Sequence, residues 1–76
     1  MNKEGRKRIS ELADELESIR EEIEEICEEE EEKYENLPEG FQAGEQGEKM
    51  QETIDALGDA VSNIDEALSA VGGVIS

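Results

Sequence analysis

Asn36-Leu37-Pro38-Glu39-Gly40-Phe41-Gln42-Ala43-Gly44 interrupts a helical pattern that runs up to it and resumes after it. Pro38 has no N–H and a fixed φ, so a helix arriving from the N-terminal side stops before it. It also pushes Leu37 out of the helical region. Gly40 and Gly44 add the freedom a turn needs. Read as a corner, this stretch decides the fold, because the chain before it must fold back on the chain after it.

Upstream of the corner, Ile9, Leu12, Leu16, Ile19, Ile23 and Ile26 follow one another in steps of 3 and 4. That is the a/d spacing of a heptad seam. Downstream, Met50, Ile54, Leu57, Val61, Ile64, Leu68, Val71 and Ile75 repeat it. The pattern predicts an all-α chain of one domain: an antiparallel two-helix hairpin of coiled-coil type. Its expected parts are a helix over about residues 4–35, a connector over 36–45, a second helix over about 46–71 and a frayed tail over 72–76 that begins at Gly72-Gly73. Ile19, Ile23, Met50, Ile54 and Leu57 should pack near the connector. Tyr34, Leu37 and Phe41 should close the open end as an apolar plug. Past Ile26 the seam would run into Glu30 and Lys33, or shift through Cys27 and Glu30 to Tyr34 and Leu37 as a stutter.

A second periodic set lies beside the downstream seam: Thr53, Ala56, Ala60, Ala67, Ala70 and Val74, with Asn63 in the gap. Alanines of this kind either fill helix surface or let another helix approach closely. On the second reading, Ala56, Ala60, Ala67 and Ala70 form a docking face. A chain of 76 residues with only Tyr34 and Phe41 for aromatics has a thin core. A homodimer that completes a four-helix bundle would bury more.

The charge is the other dominant feature. Asp and Glu number 23 against 7 Lys and Arg, a formal net charge of -16. Direct binding to nucleic acid or to an anionic membrane is excluded as the default reading, and a basic partner is favoured. Ten glutamates fall between Glu21 and Glu35, opposed only by Lys33. On a helix they occupy about 22 Å, roughly one charge per 2 Å, close to the ~1.7 Å per charge along duplex DNA. Many are like-charge pairs four residues apart, which weakens a helix. They also crowd a helix C-terminus, where the macrodipole prefers cations, while Lys3, Arg6, Lys7 and Arg8 crowd the opposite end. Either this is solvated surface, or binding placed the charges. The candidate partner-binding residues are Glu21, Glu24, Glu25, Glu28, Glu29, Glu31, Glu32 and Glu35.

Catalytic chemistry is not expected. Without any histidine, Cys27 has no imidazole to activate it, and its place beside the seam reads as a small buried hydrophobe. No EF-hand spacing or other metal-ligand pattern occurs, so no metal or cofactor is expected. A lone cysteine, no membrane-length apolar run and no apolar signal-peptide core predict a soluble cytoplasmic protein.

Lys33-Tyr34-Glu35-Asn36-Leu37-Pro38-Glu39-Gly40-Phe41-Gln42, then Gly47-Glu48-Lys49-Met50 and Ile54-Asp55-Ala56-Leu57, together with the basic Arg6-Lys7-Arg8, resemble small acidic proteins of phages and prophages. The resemblance spans most of the chain and supplies no site residues. It implies a host-cytoplasm setting, in which small acidic phage proteins often block defence by imitating nucleic acid. The leading expectation is therefore an inhibitor that occupies the basic groove of a nucleic-acid-binding host protein, such as a restriction or CRISPR nuclease. The alternative is a structural or adaptor module that binds other helices through its apolar and alanine faces.

Overall fold

A computed structural model describes residues 1–75. Among them the regular elements are all helical: α1 (Lys3–Glu35), α2 (Glu39–Gln42) and α3 (Glu45–Ile75). The two long helices pack against each other into a rod with Cα extents of 58 × 14 × 13 Å. Arg20 meets Asp65 while Cys27, further along α1, meets Ile54, earlier in α3. The helices are therefore antiparallel, as the corner requires.

Side chains and backbone at the corner explain why it is sharp. Asn2 starts α1 by accepting the Gly5 N–H at 2.8 Å. At the other end, the Asn36 N–H reaches the Glu32 carbonyl at 3.0 Å and the Leu37 N–H reaches that of Tyr34 at 3.1 Å. Pro38 then opens the short α2, its carbonyl accepting from Phe41 at 2.9 Å and Gln42 at 3.1 Å. The Gln42 amide turns back and donates to the carbonyls of Leu37 at 3.0 Å and Tyr34 at 3.2 Å. The Tyr34 carbonyl, in the last turn of α1, has no partner within that helix and is shared by the Leu37 N–H and the Gln42 amide. Gly47 lets this happen: a Cβ there would lie 2.1 Å from the Gln42 carbonyl oxygen. The connector backbone thus rests directly on the first turn of α3.

The seam on α3 is the one the spacing predicts. Ile54 is buried, and Met50, Leu57, Val61, Ile64, Leu68, Val71 and Ile75 are half-buried. The seam on α1 is not. Ile9, Leu16 and Ile23 face inward, but Leu12, Ile19 and Ile26 are 56%, 49% and 50% exposed. Their places in the contact are taken by Ala13, Arg20, Cys27 and Tyr34.

The reason lies at the corner. Tyr34 and Leu37 are held inward there, and stepping back from them by 3 and 4 gives Glu30, Cys27, Ile23, Arg20, Leu16, Ala13 and Ile9. One unbroken heptad stripe results, with no stutter. Ile19 is accordingly not part of the packing near the connector. Phe41 is 58% exposed, so the apolar plug consists of Tyr34 and Leu37 without it.

The helix boundaries differ at one end. α3 continues through Gly72 and Gly73 to Ile75 instead of fraying near Val71. Val71, Gly72 and Ile75 are half-buried, and that packing offsets the helix-weakening glycines. Ser76 lies outside the described residues. No helix among those described is long and apolar enough to cross a membrane.

Candidate functional site

The shifted seam gives the hairpin two unlike flanks. On one, Arg20 crosses from α1 to α3. Its Nε donates to Asp65 at 2.7 Å and its second terminal nitrogen reaches the same carboxylate at 3.2 Å, while its other nitrogen pairs with Glu24. The hydrogen bond to Asp65 is the largest influence on the guanidinium and raises its pKa further, so Arg20 is a permanent cation between two acids. Its aliphatic stem lies in the seam and its head reaches water.

Further along this flank is a shallow depression of about 210 Å³ lined by Glu24, Cys27, Glu28, Glu31, Gly58 and Val61. The missing side chain of Gly58 helps open it. Cys27 is 8% exposed, with Sγ 3.7 Å from the Ile54 carbonyl and 3.8 Å from Glu31. Burial, and then the Glu31 carboxylate, push the thiol pKa up from its ordinary value. Such a thiol is a poor nucleophile at neutral pH. Beyond it a second shallow depression, of about 270 Å³, lies between Glu31, Tyr34, Glu35, Gln51 and Ile54.

Of the eight expected binding glutamates, Glu21, Glu25, Glu28, Glu29, Glu31, Glu32 and Glu35 are exposed, and none of these has an ion-pair partner among the described residues. Glu24 is the exception, being half-buried and held by Arg20. Lys33, the one cation within the run, pairs with Glu30 at 3.2 Å, so it does not neutralise the outer row. Asp55 on α3 extends the acidic character across the flank.

The opposite flank is apolar. Leu12, Ile19 and Ile26 stand along α1, and the small-residue stripe runs along α3. Ala56, Ala67 and Ala70 are exposed there and Ala60 is half-buried. No protein-family model matches the chain, and no curated protein or solved structure does either. No cluster of His, Cys, Asp and Glu among the described residues could hold a metal ion.

Sequence reasoning missed four residues that organise this arrangement. Asp65 reads as an outward acid and Arg20 falls outside the apolar seam, yet together they tie the helices. Gln42 reads as part of the connector and Gly47 as a glycine inside the second helix, yet they build the corner. Arg20 did carry a signal, since it sits at seam spacing from Leu16 and Ile23.

Proposed function

We propose that this chain is an acidic binding protein whose α1 glutamates take the place of a phosphate backbone in the basic groove of a nucleic-acid-binding protein. The observation that carries the reading is the unpaired outer row: Glu21, Glu25, Glu28, Glu29, Glu31, Glu32 and Glu35, all exposed. A row of carboxylates without internal cations is left to be neutralised by a partner's Lys and Arg. Such complementarity governs encounter rate and specificity. The resemblance to small acidic phage proteins suggests a defence nuclease, of the restriction or CRISPR kind, as the target.

The test is capture from host lysate at low and high salt, with duplex DNA as competitor. Wild type should retain a protein that DNA displaces and salt releases. A variant carrying Glu25→Gln, Glu28→Gln, Glu31→Gln and Glu32→Gln keeps shape and helix propensity and should lose that capture. Equal capture by this variant at low salt would reject the proposal.

A second reading, a helical adaptor module, is favoured by the exposed Leu12, Ile19 and Ile26. Acidic mimicry leaves those residues without a task.

A further inference from the structure

We propose that the apolar flank is the interface with a second copy of this chain, related by a two-fold axis running along the hairpin. The inference does not rest on the acidic reading: its face lies opposite the Arg20 flank, and of the proposed binding glutamates only Glu29 borders it.

The pairing of Arg20 with Asp65 sets Leu12 level with Val74, Ile19 level with Ala67, and Ile26 level with Ala60. In heptad terms Leu12, Ile19 and Ile26 share one position on α1. Ala60, Ala67 and Val74 share the position on α3 that turns to the same side. Large side chains therefore line one half of the face and mostly small ones the other. Such a face complements itself. A two-fold axis parallel to the helices lays each α1 over the partner's α3 at the same level, so that Ile19 meets the partner's Ala67. Every helix then has antiparallel neighbours, the arrangement of an up-and-down four-helix bundle.

Charge singles out the same face. In a chain of net charge -16, the α3 positions Thr53, Ala56, Ala60, Asn63, Ala67 and Ala70 carry no carboxylate. Glu22 and Glu29 border the face on the α1 side. The two-fold places that border against the partner's uncharged α3 edge and away from its own acids.

The chain exposes 5718 Å², whereas a folded monomer of its mass exposes about 4600 Å². The excess, roughly 1100 Å², comes from the 58 × 14 × 13 Å rod shape, and a second rod laid along its apolar flank would cover an area of the order of the ~800 Å² that each partner buries in a standard interface. Among the described residues no side chain reaches full burial, so a second copy supplies the missing half of the core.

The experiment is sedimentation equilibrium at micromolar concentration with circular dichroism alongside. Wild type should sediment as a dimer. Ile19→Lys and Ala67→Glu, made separately, should each weaken the dimer by at least about thirtyfold and remain helical. Mixed together they should form a heterodimer in which the new lysine meets the new glutamate across the interface. A wild-type monomer throughout the micromolar range would overturn the proposal. So would a dimer that neither substitution weakens, or two variants that stay apart on mixing. Should either variant lose its helicity, Ala70→Glu at the rim provides the same reading, and an undiminished dimer there would also overturn the proposal. The four-glutamine variant, with less charge to repel its copy, should dimerise at least as tightly as wild type, so failure of the acidic reading and failure of this one give different results.

Discussion

The two flanks of the hairpin share the same backbone and the same seam, yet they are built for opposite surroundings. One carries Arg20 between Asp65 and Glu24, a shallow groove over Cys27, and glutamates directed to solvent. The other carries Leu12, Ile19 and Ile26 beside a stripe without carboxylates. The difference shows that amphipathicity here belongs to the hairpin as a unit. α1 has one apolar stripe more than its contact with α3 uses, and the corner decides which stripe is left outside.

Breaking that corner should have the largest effect. Gly47→Ala places a Cβ 2.1 Å from the Gln42 carbonyl oxygen, so the connector must move. The Gln42 amide then leaves the carbonyls of Leu37 and Tyr34. A loss of about 2–3 kcal/mol is expected, at the upper end for overpacking because backbone blocks the site. Urea unfolding would measure it. With the corner loosened, α1 is free to rotate toward the Leu12, Ile19 and Ile26 stripe, and the distinction between the flanks should blur.

Gly58→Ala should act in the opposite direction and more weakly. Nothing lies within 4 Å of a Cβ at this position, and alanine is favoured over glycine in a helix by about 1 kcal/mol. The thermal midpoint should rise by roughly 4–8 °C. Since Gly58 lines the acidic flank, self-association should be unchanged. A midpoint that falls would mean the groove over Cys27 closes against something.

The smallest effect concerns Cys27. Its pKa is raised in the folded protein by burial and by Glu31. The folded state thus holds the thiol proton when the unfolded chain, titrating near 8.5, has lost it. The contribution is fully present below that pH and is lost as pH rises through and above it. Stability should therefore decline at alkaline pH in wild type, and the part due to the thiol should be absent from Cys27→Ala. Alkylation at neutral pH should be slower for the native protein than for the unfolded chain. Equal rates would place the thiol in solvent.

Much of this was legible in the residues, and the exceptions share a cause. The eight apolar positions of α3 named one seam because no competing stripe of large residues exists there. On α1 two stripes share Ile9, Leu16 and Ile23, one completed by Leu12, Ile19 and Ile26 and the other by Ala13, Arg20 and Cys27. Hydrophobicity favours the first. The structure takes the second, because Tyr34 and Leu37 are fixed inward by a backbone approach over Gly47 that no periodicity encodes. The glutamate row was legible as a row, but the retirement of Glu24 from it depends on Arg20, whose inward stem and outward head are invisible to a binary pattern. The alanine stripe was legible too. Its bulky counterpart on the same flank emerged only with the register.

Salt distinguishes the two flanks most directly. Two copies of a chain with net charge -16 repel each other, and screening shortens that repulsion to about 8 Å at physiological ionic strength and about 3 Å at 1 M. Capture of a basic partner must weaken under the same change. The decisive measurement is the dimer dissociation constant by sedimentation equilibrium across a salt series. The account predicts a dimer that tightens as salt rises. A chain that stays monomeric at every salt concentration, or a dimer that salt dissociates, would contradict it.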